Sequence, residues 1–81
     1  MSQINVMLVD DHAVVRMGFK MLLESAPDIK VVAEAESGEQ AVKMYMEHHP
    51  DVVVMDITMP GIGGLEAIER IMAKDSTARV L

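Results

Sequence analysis

The chain alternates short, nearly continuous apolar runs with longer stretches in which apolar residues recur at helical spacing. The runs are rich in β-branched side chains and span Ile4 to Val9, Ile29 to Ala33 and Asp51 to Met55. Runs of this kind are typical of parallel strands that are covered on both faces. The alternation therefore predicts an α/β fold in which right-handed helical crossovers join the strands.

Three helices are expected between and after these strands. The first covers about residues 12–25, the second starts at a capping box formed by Ser37 and Gln40, and the third covers about residues 64–74. The apolar positions expected to face inward are Val15, Phe19, Leu22 and Leu23, then Ala41, Val42, Tyr45 and Met46, and finally Leu65, Ile68, Ile71 and Met72. Residues 78–81 are expected to open a fourth strand.

The strand order that fits this pattern is 2-1-3-4. We therefore expect a flavodoxin-like, doubly wound parallel sheet with helices on both faces. In such sheets, sites form at the carboxyl ends of the strands, at the point where the winding direction reverses. With this order, that point lies between the first and third strands.

Three aspartates directly follow these two strands. Asp10 and Asp11 come after the first strand, and Asp56 comes after the third. Because adjacent strands lie about 4.8 Å apart, the three carboxylates should converge on one edge of the sheet. A proton or a cation must relieve their repulsion, and Mg²⁺ suits carboxylate and carbonyl oxygens. Helix capping would account for Asp10 or Asp11 alone, but it does not explain Asp56, since no helix starts for several residues after it.

The candidate reaction at this edge is phosphorylation of Asp56. A carboxylate beside Mg²⁺ can act as a nucleophile towards phosphorus, and the product would be an aspartyl phosphate. The Met59-Pro60-Gly61 turn and the Gly63-Gly64 pair would let the backbone approach this site closely.

The other polar residues near strand and helix ends have simpler interpretations. His12 is expected on the surface of the first helical turn instead of acting as a ligand. Glu34 and Glu36 flank the end of the second strand and are expected to be solvated. His48 and His49 are expected to close the second helix, where cations favour the negative end of the helix dipole.

Charge and composition exclude several classes of function. The net charge of -6 argues against direct binding of nucleic acid by this segment, and the absence of cysteine excludes disulfides and thiolate metal sites. The sequence has neither a basic and then apolar leader nor an apolar run of the length that spans a membrane. We therefore expect a soluble protein that is not exported, resides in the cytoplasm and has no membrane partner.

The segments INVMLVDDH and VVVMDITMPGIGGLEAI, at their separation in this chain, resemble the CheY-like receiver domain of two-component response regulators. The segments VDDHAVVRMGFKMLL and VVAEAESGEQAV are most similar to the NarL/FixJ type of LuxR-class transcriptional regulators. The resemblance covers residues 1–81 and implies that Asp56 is the phosphoacceptor. It also implies that Asp11 binds Mg²⁺ directly, that Asp10 supports this ion, and that the Thr58 backbone carbonyl is a further ligand.

The same resemblance implies a role in signalling. The phosphoryl group would come from a sensor histidine kinase, and the output would be transcriptional, through a DNA-binding domain that lies outside this sequence. On this interpretation the protein is not an enzyme, beyond self-phosphorylation from small phosphodonors and autodephosphorylation.

The chain departs from the family on its C-terminal side. Receivers similar to this one run to about 120 residues, so residues 1–81 are expected to form the N-terminal part of the domain. The three-layer receiver fold would then be incomplete and lack its last strand and helices, together with the family's switch Ser/Thr and its lysine. The uncovered surfaces predict one of two situations: a homodimer or higher oligomer, for which exchange of segments is one route, or a chain that is the ordered part of a longer one.

Two other functions remain open. One is an interaction or oligomerisation module that keeps the receiver fold and is never phosphorylated, although the presence of all three acids argues against it. The other is a Mg²⁺-dependent phosphohydrolase with an aspartyl nucleophile. Such enzymes usually carry a second acid two residues after the nucleophile, where this chain has Thr58.

Overall fold

The computed structural model describes residues 3–56 and 63–81. Within them the elements follow the predicted alternation. The strands are β1 (Ile4–Val9), β2 (Ile29–Ala35) and β3 (Val52–Met55), and the helices are α1 (Ala13–Glu24), α2 (Gly38–His48) and α3 (Gly63–Lys74). The described part of the chain contains no helix with the length and apolar character needed to cross a bilayer.

The strands form a parallel sheet in the order β2-β1-β3, so β1 lies in the centre. On the outer side of β3, Val80 pairs with Val53 in a single bridge, and the Val53 and Leu81 amides donate to the carbonyls of Arg79 and Val53 at 2.8 Å. These contacts lie where the fourth strand was predicted. The order matches the flavodoxin-like sheet, in incomplete form.

The pairing of β1 with β2 shifts register between Val6 and Met7. Val6 lies opposite Val31, whereas Met7 lies opposite Ala33, so Val32 is an extra residue in β2. Val31 consequently packs with one core cluster and Ala33 with the other, on opposite faces of the sheet.

One face of the sheet is covered by α2 and α3 and carries the larger core cluster, which we call the packed face. Its buried members are Met7, Val9, Ala33, Ala35, Ala41, Tyr45, Val53, Met55, Ala67 and Ile71. The predicted inward face of α2 is confirmed, but that of α3 is only partly right, because Leu65 and Met72 are exposed. Gly64 and Ala67 are buried in their place, since small residues let a helix lie close to its neighbours.

The opposite face, which we call the α1 face, has a smaller core of Val6, Leu8 and Val31. The prediction for α1 was largely wrong: Val15, Phe19 and Leu22 are exposed, and Leu23 alone of the predicted set packs against this core.

The partly buried positions of α1 are Arg16, Lys20 and Leu23, at the i, i+4, i+7 spacing of one helical face. Two of these three side chains are cationic. Polar contacts therefore contribute to the position of α1, beside the apolar contact of Leu23.

The ends of α2 are well defined. The Ser37 side chain accepts a hydrogen bond from the Gln40 amide at 3.2 Å, as predicted, and the Gln40 side chain accepts from the Glu36 amide at 2.7 Å. His49 ends the helix in the left-handed region, with a φ of 45°, and donates its amide to the Tyr45 carbonyl. The predicted termination of α2 by its histidines is confirmed.

Candidate functional site

The carboxyl ends of β1 and β3 hold the predicted acids in place through backbone hydrogen bonds. The Asp10 amide donates to the Ala35 carbonyl at 3.0 Å, and the Asp56 amide donates to the Val9 carbonyl at 2.9 Å. Both bonds continue the strand pairing by one residue beyond the sheet. The two aspartates are therefore fixed by the parallel sheet itself.

The three carboxylates converge as the sequence predicted. Asp10, Asp11, His12 and Asp56 each place a ligand atom so that all of these atoms lie within 4.8 Å of one another. The aspartate side chains are 16%, 32% and 22% exposed, so each keeps access to solvent. We call these three aspartates the acidic cluster.

His12 is exposed at the start of α1, in agreement with its prediction as a surface residue, but its ring also contacts the aspartates. Its Nδ1 atom lies 2.8 Å from Asp10 Oδ1, 3.0 Å from Asp11 Oδ1 and 4.0 Å from Asp56 Oδ2. The hydrogen bond to Asp10 and the charges of Asp11 and Asp10 raise the pKa of His12 above its ordinary value. The three carboxylates therefore favour the protonated form of this imidazole.

The turn between β1 and α1 is closed by Asp10. Its Oδ1 accepts from the His12 amide at 2.8 Å, which is an Asx-type turn, while His12 occupies the N-cap position of α1 without a side-chain cap bond. Neither Asp10 nor Asp11 is therefore the N-cap residue of α1, and simple helix capping does not explain these two acids.

The Thr58 carbonyl, the predicted fourth ligand, lies outside the described residues, as does the Met59-Pro60-Gly61 turn.

Gly63 begins α3 at a φ of 77°, a conformation that favours glycine.

Sequence reasoning missed Arg16. This side chain is 12% exposed and pairs with Glu34 and Glu36, which were expected to be solvated. The available signal was the spacing of Arg16 and Lys20 on one helical face together with the acids at the end of β2, Glu34 within the strand and Glu36 just after it. The apolar periodicity of α1 outweighed this signal.

Arg16 and two members of the acidic cluster line a cleft of about 210 Å³ at this edge of the sheet. Asp10, Asp56 and Arg16 supply its charged lining, and apolar side chains such as Phe19 and Met55 supply much of the rest. Solvent and small ions can therefore reach the carboxylates from this side.

The donor set of the acidic cluster fits a hard divalent cation. Three carboxylates supply oxygen ligands, which Mg²⁺ prefers, and the described residues contain no thiolate to favour a softer metal. A cation would also relieve the mutual repulsion of the aspartates.

A parallel sheet in the order 2-1-3 with an acidic cluster at the carboxyl ends of β1 and β3 defines a receiver-type signalling domain. Residues 6–81 match the family model described as response regulator receiver domain. The chain belongs to this family.

Similar proteins agree with this assignment. The response regulator UvrY of Escherichia coli K12 is 50% identical over 78 residues, which are 96% of this chain and 36% of UvrY. The chain thus spans about a third of the length of this curated relative.

Two solved structures are also similar. A LuxR-family two-component response regulator from Aurantimonas sp. SI85-9A1 superposes with a TM-score of 0.93 at 48% identity, over 98% of this chain and 56% of that one. The CheX-CheY-BeF3-Mg²⁺ complex from Borrelia burgdorferi gives a TM-score of 0.91 at 33% identity, over 98% of this chain and 60% of that one.

Proposed function

We propose that this receiver domain accepts a phosphoryl group on Asp56 from a sensor histidine kinase, in the presence of Mg²⁺. The observation that carries the proposal is the convergence of three carboxylates from two strand ends within 4.8 Å. Asp10 and Asp11 belong to the metal site together with Asp56, and the Thr58 carbonyl is proposed as a further ligand.

In the proposed transfer, a carboxylate oxygen of Asp56 attacks the phosphorus of a phosphohistidine or of a small acyl phosphate. A new P–O bond forms as the P–N or P–O bond of the donor breaks, and the leaving group keeps the electron pair. Bound Mg²⁺ would offset the negative charge that gathers on the phosphoryl oxygens. Asp56 is suited to the attack because the hydrogen bond from its backbone amide to the Val9 carbonyl fixes the backbone, while its side chain stays accessible to solvent.

One similar solved structure supports the proposed binding of Mg²⁺ and of a phosphoryl group. The structure from Borrelia burgdorferi contains CheY together with BeF3 and Mg²⁺, and this chain shares its fold at 33% identity. We extend that pairing of a cation with a small anionic group to the acidic cluster of this chain.

The biological setting is part of the same proposal. Residues 1–81 act as the N-terminal part of a receiver domain in the cytoplasm, and phosphorylation of Asp56 controls transcription through a DNA-binding domain beyond this sequence. The domain is a phosphoacceptor and not an enzyme with an external substrate. Self-association as a homodimer or higher oligomer is proposed because the apolar residues of α1 are exposed.

The test is intact mass after incubation with acetyl phosphate and Mg²⁺. We expect an adduct of one phosphoryl group in a chain of about 120 residues, the size of a single domain, and none after Asp56→Asn. The 81-residue chain is measured in parallel.

Absence of any Asp56-dependent adduct in the longer chain would refute the proposal and favour an interaction module that is never phosphorylated. An adduct in the longer chain alone would assign the remaining requirement to residues beyond Leu81. Steady release of inorganic phosphate from many equivalents of donor would instead favour a phosphohydrolase.

A further inference from the structure

Arg16 connects three segments at the carboxyl edge of the sheet. Its Nε donates to Glu34 Oε1 at 3.1 Å, and its guanidinium lies 3.5 Å from Glu36 Oε1. Its Nη1 donates to the backbone carbonyl of Asp10 at 2.7 Å. One side chain thus holds α1, the end of β2 and the turn after β1 together.

The bond to the Asp10 carbonyl acts on the acidic cluster directly. That carbonyl belongs to the planar peptide group between Asp10 and Asp11. The orientation of this peptide group therefore determines the position of the Asp11 Cα atom, from which the side chain extends. The backbone amide of Asp10 already donates a hydrogen bond to the Ala35 carbonyl, and its carboxylate already accepts one from the His12 amide. Arg16 fixes the remaining polar group of this residue.

The fork of the guanidinium suits this task. Arginine offers five donors in a rigid plane, so it can bind a carbonyl and two carboxylates at once, whereas lysine concentrates its charge on one flexible ammonium. At 12% exposure the Arg16 side chain is also the least exposed of the basic side chains with described ion pairs.

We infer that Arg16 is a positioning residue for the acidic cluster, holding the Asp10-Asp11 peptide in the orientation that binds Mg²⁺ and presents Asp56 for phosphorylation. This inference rests on the proposed function. Arg16 acts through the Asp10 carbonyl and through the ion pairs that fix its own guanidinium.

A matched pair of substitutions separates positioning from charge. Arg16→Met and Lys20→Met each remove one positive charge from the same face of α1, and both residues pair with Glu34. Charge removal beside an acidic cluster favours binding of a cation, so an electrostatic role alone predicts tighter Mg²⁺ binding in both variants. Positioning predicts the opposite sign for Arg16→Met.

The experiment titrates Mg²⁺ into the 81-residue chain and follows the backbone amide resonances of Asp11 and His12. We expect Arg16→Met to raise the dissociation constant about tenfold or more, as is usual when a group that orients a metal ligand is lost. Lys20→Met should stay within about twofold of the wild type or bind more tightly. Arg16→Lys should recover part of the affinity, because it keeps the charge and one donor.

The outcomes distinguish this inference from the proposed function. If the wild type binds Mg²⁺ and Arg16→Met binds it equally or more tightly, Arg16 has no positioning role while the metal site stands. If the wild type binds no Mg²⁺ and the longer chain takes no phosphoryl group, the proposed function and this inference both fail. Should Arg16→Met not fold, Arg16→Lys decides: an affinity equal to that of the wild type contradicts the inference.

Discussion

The two faces of the sheet are stabilised in different ways. On the packed face, α2 and α3 bury a continuous apolar cluster in which Met7 and Ile71 are fully enclosed. On the α1 face, no residue of α1 is buried, and polar contacts of Arg16 and Lys20 accompany a small apolar core. Apolar burial therefore dominates stability on one side, while on the other side specific polar contacts fix a helix beside the acidic cluster.

The first and largest test compares one substitution on each face. Ile71→Ala should lower the free energy of unfolding by about 2–5 kcal/mol, because it leaves a cavity among fully buried neighbours. Leu22→Ala should change it by about 0.5 kcal/mol or less, because the Leu22 side chain is 69% exposed. Urea unfolding followed by circular dichroism measures both values. Equal decreases in the free energy of unfolding would contradict the difference in apolar burial between the two faces.

The second test uses Tyr45, the single tyrosine of a chain without tryptophan. Burial in the packed face, together with the hydrogen bond to Asp75, raises the pKa of Tyr45 to about 12. The folded state then keeps a proton that the unfolded state releases near pH 10, so this contribution to stability is complete below pH 10 and is lost as the pH rises towards about 12.

Absorbance of the tyrosinate reports this titration without interference, and Tyr45→Phe supplies the blank. A midpoint near 10 in the folded chain would mean that water reaches the phenol and that the packed face is less enclosed than described. Urea unfolding at pH 9 and pH 11 should give the lower stability at pH 11.

The third and smallest effect on folding concerns the exposed side of α1. Phe19 and Leu22 line a shallow apolar groove there with Val15 and Gly18. Replacing Phe19 and Leu22 by serine should weaken the proposed self-association while costing about 1 kcal/mol or less of stability, since little apolar surface leaves a core. Sedimentation velocity over a range of concentrations measures the change.

Lys43→Ser on the exposed side of α2 is the control, and it should leave self-association unchanged. A wild-type chain that stays monomeric at every concentration would contradict the proposal of an oligomer.

Sequence reasoning succeeded where one local rule was sufficient. Parallel-strand runs predicted the sheet, and the rule that sites form at strand ends predicted the approach of Asp10 and Asp56 across 46 positions of sequence. Ser37 capped α2 as its spacing indicated. Each of these features depends on chain order and residue type, both of which the sequence states directly.

The inward faces of α1 and α3 could not be predicted in the same way. In α3, Gly64 and Ala67 are inward because small side chains allow close packing, although Leu65 is more hydrophobic. In α1, Arg16 is inward because its partners lie 18 and 20 positions away, Glu34 on β2 and Glu36 just after it. The spacing of apolar residues along a helix does not show how much space lies between that helix and its neighbours. It also does not show which polar partners come from distant parts of the sequence.

The extra residue in β2 has a consequence for charge. In a strand, side chains alternate between faces, so a single inserted residue reverses the parity of everything after it. Uninterrupted pairing from Val31 would set Glu34 opposite Val9 and direct a carboxylate into the packed face, at a cost of several kcal/mol. Because Val32 intervenes, Glu34 lies opposite Leu8, on the side where Arg16 meets it. One valine thus determines on which side of the sheet an ion pair can exist.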